Sequence, residues 1–472
     1  MAENTSQTKL SRVYQVIRSA VRGDEYDYTT IDLRRAVILL AIPMMLELVL
    51  ESVFAIVDIY FVNRIGVHAV SIVGLTESII TIVFSVGIGL SAAATAMVSR
   101  RVGEKNYDEA AHAGAQSIVL AIITSVALGI PGFIFAGDIL RLMGAEPAAI
   151  AEGLPYARIM LGGNVVIILL FLINGIFRGA GNPSIAMKSL WIGNLFNIIL
   201  DPLLIFGIGF FPELGIKGAA IATTTGRAIG VLYQCYHLCK ATGVLKMKRA
   251  HFTPDMAIIK GLVKIASPAT FQFIIASASW IFLAAMVASY GSEASAGYQT
   301  AIRLVVFFIL PAWGMSNAVA TLVGQHLGAK LPERAEQSVK ITAWYNVAFM
   351  AVVTIIFLFF SRPLLQLFIP AAQVVQTNYA VLALQIISSG YIFYGVGMVI
   401  TQAFNGAGDT RTPTWIYFFG FWVFQVPFAY FIHKYTGIGI AGIFMAVPVA
   451  ETLMSVAVFL FFRTGKWKEV KV

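Results

Sequence analysis

Three carboxylates lie along one face of the first apolar stretch of this sequence. Glu47, Glu51 and Asp58 follow one another at intervals of four and seven residues. A helix advances by about 100° per residue, so these intervals place the three side chains nearly in line. A charge near the centre of a bilayer costs at least about 2.5–3.5 kcal/mol, and such residues therefore face a bundle interior or an aqueous cavity. A position near a helix end could explain one of them, but three on one face favour an ion or substrate pathway.

A second polar face occurs in a later apolar stretch. Asn194, Asn197 and Asp201 are three and four residues apart, which puts them on one side of a helix. Pro202 follows directly and cannot donate a backbone N–H, so the carbonyl of Ile198 loses its helical partner. A carboxylate, two amides and a free carbonyl make an oxygen-rich place for a proton, water or Na⁺. The alternative is that the amides join helices and that Asp201 lies near a membrane surface.

Transmembrane helices are the elements that must position these residues. The chain has 472 residues, of which 58% are hydrophobic and only 12% are charged, with a mean hydropathy of +0.81. Soluble domains are about 45–50% apolar and about 25% charged, and about 20 apolar residues span a bilayer. We therefore predict an all-α integral membrane protein with twelve transmembrane helices. The predicted segments are 36–62, 69–98, 113–137, 156–177, 186–211, 215–239, 258–290, 295–326, 340–360, 378–404, 412–433 and 438–462.

The basic residues orient these segments. Most of the 33 Lys and Arg fall before the first segment, in alternate loops and after the last segment. Because basic loops stay on the cytoplasmic side, we predict a multi-pass protein of the inner (cytoplasmic) membrane with both termini cytoplasmic. The formal charge of +9 is then an orientation signal and does not indicate a nucleic-acid partner. Residues 1–35 have no signal-peptide pattern, and they fit a short helix on the inner leaflet and a disordered tail equally well.

The second half of the chain repeats the first. At a shift of 225 residues Pro43 coincides with Pro268, Gly66 with Gly291, Gly103 with Gly328, Lys105 with Lys330 and Ala110 with Ala335. Two parallel six-helix repeats predict two pseudo-symmetric lobes with a substrate site between them near the membrane midplane. The predicted organisation is a cytoplasmic N-terminal segment 1–35, a first lobe 36–240, a cytoplasmic linker 241–257, a second lobe 258–462 and a cytoplasmic tail 463–472.

Several motifs follow one another in a specific order along nearly the whole chain. They are Pro43 with Val57-Asp58-Ile-Tyr-Phe-Val-Asn-Arg-Ile-Gly66, Asn174-Gly-Ile-Phe-Arg178-Gly-Ala-Gly181, Asn197-Ile-Ile-Leu-Asp201-Pro202, Gly218-Ala-Ala-Ile-Ala-Thr223 and the Gly103 and Gly328 loops. In this order they resemble the multidrug and toxic compound extrusion (MATE) family of bacterial transporters. The resemblance implies twelve helices in two lobes. It also implies export of amphipathic, often cationic, organic compounds, driven by a proton or Na⁺ gradient.

The resemblance also implies which residues couple transport to the cation. The matching positions in the first lobe are Asp58, Asn174, Asn197, Asp201 and Thr223. Taken alone, Asn174 and Thr223 are more typical of helix packing, and Thr223 is the least specific match because two more threonines follow it. Na⁺ as the coupling ion would be held at Asp58, Asn197 and Asp201; no other metal and no cofactor is predicted.

Further residues are predicted to line a substrate cavity or to let helices move. Glu47, Glu51 and Glu77 add acidic side chains to the first lobe, and Pro43 breaks the first helix as a hinge. Arg303 is a cavity candidate in the second lobe, although neutralisation by a carboxylate or by helix-end carbonyls explains it more simply. Some aromatic residues of that lobe are expected to line the cavity and others to lie at membrane interfaces. These are Trp280, Tyr298, Trp313, Tyr391, Tyr394, Trp415 and Trp422.

The two halves differ in their acidic residues. Among the predicted membrane segments of the second lobe, Glu451 is the only acid, and the repeat of Phe177-Arg178 reads Phe404-Asn405. Some branches of the MATE family carry acids in the seventh and tenth helices, so this chain is closer to the branch that couples through its first lobe. We therefore predict coupling in the first lobe, with H⁺ favoured over Na⁺.

Other functions leave specific patterns that are weak here. A flippase for lipid-linked precursors would favour a strongly basic cavity, yet few membrane-embedded Arg or Lys are available. A sensor or channel that does not transport substrate remains an alternative of a different class. An enzyme is not predicted, because the six histidines and two cysteines form no metal-binding or nucleophile spacing. The expected partners are small organic substrates and the lipid bilayer, for a protein predicted to be monomeric.

Overall fold

A computed structural model of the protein describes residues 9–62, 64–240 and 243–472. This part of the chain is helical throughout and has no β-strand. In the first half the α-helices are α1 Lys9–Arg22, α2 Leu33–Val62, α3 Val67–Gly103, α4 Tyr107–Ile134, α5 Ala136–Leu142, α6 Pro147–Gly162, α7 Asn164–Gly179, α8 Pro183–Phe206 and α9 Ile216–Cys239. In the second half they are α10 Met256–Ala288, α11 Ser292–Gly328, α12 Pro332–Gln366, α13 Val374–Ser388, α14 Tyr391–Ala407, α15 Arg411–Tyr417, α16 Val426–Tyr435 and α17 Ile440–Arg463.

Each of the twelve predicted segments corresponds to one of these helices or to a pair of them. The described residues contain ten helical spans that are long and apolar enough to cross a membrane, and the bent pair α13–α14 makes an eleventh. The remaining predicted segment is α9, which is less apolar because threonines and Arg227 occupy its middle. The all-α fold with twelve transmembrane helices is therefore confirmed.

Besides α12, which is kinked at Phe360 near its end, three of the described membrane segments are not continuous α-helices. The fourth is divided at Gly163 into α6 and α7, and the tenth bends by 54° between α13 and α14. The eleventh contains a π-helical stretch, Phe418–Gln425, between α15 and α16. Pro427 follows this stretch and has no N–H to donate, and π-helical turns of this kind are frequent at functional sites.

Backbone geometry repeats between the two halves as the sequence repeat predicts. Lys105 and Lys330, which coincide at the 225-residue shift, have φ values of 60° and 59°. Such positive φ values are uncommon for residues other than glycine, so their occurrence at both positions marks equivalent loops. Helices α2–α9 form the first lobe and α10–α17 the second. Each lobe has an aliphatic core, and α2 additionally packs against α11 of the second lobe.

The lobes are in close contact at the end of the bundle that carries both chain termini, called here the terminal face. The last turns of α3 and α11 cross there, and a Cβ on Gly324 would overlap the Ser99 side chain. Further along α11, a Cβ on Gly314 would lie 2.6 Å from the carbonyl oxygen of Met44 on α2. Only glycine permits backbones to approach this closely. The lobes are therefore closed against each other at the terminal face.

The N-terminal segment adds a strap across this closed face. The Tyr28 hydroxyl donates to the carbonyl of Gly181 in the first lobe, 3.0 Å away. The Tyr28 carbonyl lies 3.2 Å from Nε2 of His326 in the second lobe. Helix α1 precedes this strap, so the helical alternative for residues 1–35 is the one observed in the described part. At the other terminus, Arg100 donates to the carbonyl of Val470 at 2.8 Å.

Candidate functional site

The carboxylates of α2 face the interior of the first lobe. Glu47 is almost completely buried, with 2% of its surface exposed, and Glu51 and Asp58 are partly buried further along the helix. The helical spacing places all three toward the polar side chains of α7, α8 and α9. The acidic face inferred from the sequence is therefore present, and each carboxylate has different surroundings.

Glu47 belongs to a buried network of side chains. Asn174 on α7 donates its Nδ2 to Oε1 of Glu47 at 3.1 Å, and its own Oδ1 accepts from Gln234 of α9. Ser189 of α8 accepts from Gln234 at 2.9 Å, which joins three helices around Asn174. Arg178 lies 4.0 Å from Oε1 of Glu47, whereas Oε2 has no hydrogen-bond partner. The network links α2 to α7 through Glu47 and leaves Oε2 of Glu47 without a hydrogen bond.

Glu51 is held one turn further along α2. Its Oε2 accepts from Nδ2 of Asn194 at 3.4 Å, and its Oε1 lies 4.0 Å from Nη2 of Arg227. The Arg227 guanidinium also lies over the ring of Phe84, 5.4 Å from the ring centre. A cation over an aromatic face is attracted by the ring's quadrupole. Arg227 therefore interacts both with Glu51 and, electrostatically, with Asp58.

Asp58 and Asp201 form the part of the site in which oxygens lack donors. Asp201 is fully buried on α8, and neither of its carboxylate oxygens has a hydrogen-bond partner among the described residues. Oδ1 of Asp58 is likewise buried and unpartnered, and the two carboxylates interact electrostatically. Asn197 donates to the Thr223 hydroxyl at 3.1 Å, which leaves Oδ1 of Asn197 also without a donor. Four oxygens are thus available to a proton or a cation.

The structure divides the five predicted coupling residues into two groups. Asp58, Asn197, Asp201 and Thr223 belong to the site just described, whereas Asn174 lies in the Glu47 network. The sequence did not indicate that Asn174 bonds to Glu47, because the two residues are far apart along the chain.

The remaining predicted residues lie in varied surroundings. Glu77 on α3 is exposed and interacts electrostatically with Asp58 and Arg227. Arg303 on α11 is also exposed, and it has no hydrogen bond or ion pair with any described residue. Pro43 lies within α2, which continues as one helix through it. Of these three residues, Glu77 alone interacts with a member of the Asp58 and Asp201 site in the described part of the chain.

A central cavity lies between the lobes. Glu47, Ser91 and Arg178 line its first-lobe wall, and Trp313 and Asn405 line its second-lobe wall. The contacts at the terminal face close it on that side. A cavity bounded by both lobes is where the repeat argument placed the substrate site.

A second cavity adjoins the first and enters the second lobe. It has a volume of about 210 Å³ and shares Phe273, Trp313, Gln402 and Asn405 with the central cavity. Of the aromatic residues considered from the sequence, Trp280, Trp313 and Tyr394 line it. The others lie elsewhere: Trp415 is exposed, Trp422 donates to the carbonyl of Ile275, Tyr298 stacks on Phe444, and Tyr391 borders a small adjoining pocket.

Sequence reasoning missed the amide side chains of the second-lobe cavity wall. Gln272, Gln402 and Asn405 line the second cavity, and Gln272 donates to Oδ1 of Asn405 at 3.3 Å. The signal for Asn405 was available, because it occupies the repeat position of Arg178. No pattern in the sequence distinguished Gln272 or Gln402 from the other polar residues on membrane helices.

A family model decides the assignment. The model described as MatE matches residues 43–203 and again residues 268–431, which together are more than half of the chain. The chain belongs to the MATE family. The two matches begin 225 residues apart, which agrees with the internal repeat and with two lobes of common origin.

Known MATE-type proteins align with nearly the whole chain. The "Probable multidrug resistance protein YoeA" of Bacillus subtilis (strain 168) is 28% identical over 93% of this chain and 95% of its own length. A protein named "FAD transporter" from Shewanella oneidensis is 26% identical over 92% and 96%. A solved structure described as an outward-facing conformation of a multidrug resistance MATE family transporter of the MOP superfamily matches with a TM-score of 0.87. It is 25% identical over 94% of this chain and 98% of that chain. This protein is thus a multi-pass membrane transporter of the MATE family.

Proposed function

We propose that this transporter is a secondary active multidrug exporter that antiports amphipathic, often cationic, organic compounds against H⁺. The observation that carries the proposal is the set of unpartnered oxygens on Asp58, Asp201 and Asn197. A buried carboxylate without a donor is costly, and uptake of a proton or another cation removes that cost. Ionisable residues inside membrane segments are typical of ion pathways. The site therefore supports coupling in the first lobe.

Na⁺ is the alternative coupling ion, and its site would use the same oxygens. Asp58 and Asp201 would supply carboxylate ligands, and the free Oδ1 of Asn197 would supply a neutral one. We favour H⁺ because the Thr223 hydroxyl already accepts from Asn197, and Oδ1 of Asn174 already accepts from Gln234. The side-chain oxygens of two of the five matched residues are therefore already hydrogen-bonded before any ion binds.

The proposed transport cycle is alternating access of the two lobes. In the described conformation the lobes are closed at the terminal face, so the cycle requires the glycine contacts and the Tyr28 strap to separate. Neutralising Asp58 changes the charge on α2, and we propose that this helix responds at Pro43. Movement there would disturb the contact of α2 with α11, because Met44 packs against Gly314.

The cavity walls favour organic molecules of mixed polarity as substrates. The central cavity combines Phe273 and Trp313 with a buried Glu47–Arg178 pair, a composition expected of sites for amphipathic ligands. One relative is named a multidrug resistance protein and another an FAD transporter, so the substrate could be a xenobiotic or a metabolite. A flippase for lipid-linked precursors is disfavoured because Arg178 and Arg227 each lie beside a glutamate.

We further propose that the terminal face is cytoplasmic, that the membrane is the inner membrane and that the transporter acts as a monomer without a cofactor. Basic residues concentrate near this face, as the positive-inside rule requires. Cysteines placed at Lys246 and at Arg141 should test the orientation. A membrane-impermeant maleimide applied to whole cells should label only the cysteine that replaces Arg141. Labelling of only the cysteine that replaces Lys246 would reverse the proposed orientation.

The decisive experiment is efflux from proteoliposomes under separate gradients. A fluorescent organic cation is loaded inside, and either a pH gradient at equal Na⁺ or a Na⁺ gradient at constant pH is imposed. Efflux driven by the pH gradient alone supports H⁺ antiport, and efflux driven by Na⁺ alone reassigns the ion without moving the site. Absence of gradient-driven flux of any tested compound would favour a sensor or channel.

A further inference from the structure

Glu451 is a buried acid that the coupling site in the first lobe does not use. It lies on α17, has 9% of its surface exposed and lines the second-lobe cavity. It has no hydrogen bond or ion pair with any described residue. No lysine, arginine or histidine of the described chain interacts with it electrostatically. A carboxylate placed this way needs a positive charge or a proton from outside the protein.

The second repeat supplies no basic residue at the cavity wall that could balance this charge. In the first lobe, Arg178 lies beside Glu47 and neutralises the cavity wall. The position of Arg178 in the second repeat is Asn405, which lines the cavity but carries no charge. The second-lobe cavity therefore has one acidic side chain and no basic one among its lining residues.

Aromatic rings line the same cavity as the carboxylate. Trp280, Trp313, Tyr394 and Tyr417 all line the cavity with Glu451. The two tyrosines interact electrostatically with Glu451. Rings of this kind attract an organic cation through their faces, and a nearby carboxylate adds a direct charge interaction. Indole and phenol rings around one acid favour an alkylated ammonium over a strongly hydrated inorganic ion.

The shape of the cavity indicates which part of a ligand enters it. Its volume of about 210 Å³ is smaller than the about 300–1,000 Å³ of sites that hold a drug-sized molecule. It adjoins the central cavity, because Phe273, Trp313, Gln402 and Asn405 line both cavities. The second-lobe cavity therefore fits a compact cationic group of a ligand better than a whole drug-sized molecule. The π-helical stretch contributes Phe421 to the wall of this cavity.

We propose that the second-lobe cavity binds the cationic group of an organic substrate, with Glu451 as its counter-charge and Trp280 and Trp313 as its aromatic walls. This inference rests on the proposed export function for its biological meaning, but the binding site can be tested without transport. Binding and cation coupling are thereby assigned to different lobes.

A matched pair of ligands isolates the role of charge. Benzyltrimethylammonium carries a fixed positive charge, and benzyldimethylamine N-oxide has nearly the same shape with no net charge. Binding of each to the full-length protein in nanodiscs is measured by equilibrium dialysis against empty nanodiscs, with no gradient. The wild-type protein should prefer the cation. Glu451→Gln should weaken cation binding by about tenfold or more and change N-oxide binding by less than about twofold.

Two further variants separate binding from folding. Glu293→Gln removes an exposed carboxylate at the start of α11 and should leave both affinities unchanged. Trp280→Leu should reduce binding of the cation more than that of the N-oxide, by about threefold or more. Retained N-oxide binding by Glu451→Gln shows that this variant is folded. If it loses both ligands together, the Trp280→Leu comparison decides, and an equal effect on both ligands overturns the proposal.

The outcomes also distinguish this inference from the proposed function. If Glu451→Gln binds the cation as well as the wild type does, the proposed binding site is wrong. That result leaves the antiport proposal standing, because gradient-driven efflux tests it separately. If binding depends on Glu451 but no gradient drives efflux, the cation site stands and the antiport proposal fails. Equal affinity of the wild-type protein for the two ligands overturns the inference directly.

Discussion

Gly103 and Gly328 occupy equivalent positions in the two repeats, and each packs against the backbone of the other repeat's helix. A Cβ on Gly103 would overlap the carbonyl oxygen of Gln325 on α11. A Cβ on Gly328 would overlap the carbonyl oxygen of Arg100 on α3. The pair thus closes the terminal face by a contact that pseudo-symmetry makes reciprocal. Since glycine is needed only while the lobes touch, these positions report on the conformational cycle.

Adding a methyl group at either glycine should disfavour the closed terminal face. Gly103→Ala and Gly328→Ala should lower efflux by about fivefold or more and lengthen the distance between the lobes at this face. Spin labels at Glu109→Cys and Glu333→Cys, in a Cys235→Ser and Cys239→Ser background, measure that distance by double electron–electron resonance. Gly74→Ala is the matched control, because a Cβ there has no neighbour within 4 Å. An unchanged distance distribution would contradict the closure.

Asp201 and Asp58 should both be required for gradient-driven efflux. Asp201→Asn and Asp58→Asn supply an amide where the site has unpartnered carboxylate oxygens, so neither variant can take up and release a proton. Efflux under an imposed pH gradient should fall by on the order of tenfold or more. The control is Asp138→Asn, since Asp138 on α5 is exposed and pairs with Arg141. Full activity of Asp201→Asn at normal reconstitution would place coupling elsewhere.

The positions of the helices along the chain were predictable from the sequence, because the bilayer fixes the length and the apolar character of a spanning helix. A spanning helix needs an apolar stretch of nearly fixed length, so the predicted segment 36–62 and the observed α2 Leu33–Val62 agree closely. Helical periodicity likewise placed Glu47, Glu51 and Asp58 on one face. The repeat predicted that Lys105 and Lys330 lie in equivalent loops.

The contacts between helices were not predictable in the same way. Which side chain meets Glu47 depends on how α7 is rotated about its axis, and periodicity within one helix carries no such information. The family motif therefore placed Asn174 among the coupling residues, whereas in the structure it donates a hydrogen bond to Glu47. The bend between α13 and α14 and the π-helical stretch also depend on packing against neighbouring helices. The π-helical stretch contributes Phe421 to the wall of the second-lobe cavity.

Asn174 should contribute to stability through the buried network it completes. Asn174→Ala removes the hydrogen-bond donor to Glu47 and the acceptor for Gln234. Each of these buried side chains then lacks one hydrogen bond. Such a loss costs about 1–3 kcal/mol, which should lower the melting temperature of the purified protein. Asn378→Ala is the comparison, because Asn378 is exposed and accepts only from Arg362. Equal melting temperatures for the two variants would show that the network adds no net stability.

Glu47 and Arg178 should set the charge preference of the central cavity as a pair. Glu47→Gln leaves Arg178 without its neighbouring carboxylate, so the cavity wall gains one net positive charge. At an effective dielectric constant of about 20, a unit charge several ångströms away contributes on the order of 1–4 kcal/mol. Efflux of a cationic substrate should therefore weaken by several-fold more than efflux of a neutral one. The measurement is the ratio of apparent KM values for the two substrates in proteoliposomes.

The double variant Glu47→Gln/Arg178→Gln tests whether charge is the cause. It restores the net charge of the wall while removing the same carboxylate, so the cation-to-neutral ratio should return toward the wild-type value. Breaking one member of a buried pair is also more destabilising than removing both, so the double variant should be at least as stable as Glu47→Gln. Glu146→Gln, at an exposed position before α6, should change neither ratio nor stability. If the double variant keeps the altered ratio of Glu47→Gln, then Glu47 contacts the substrate directly, and the net charge of the wall is not the determinant.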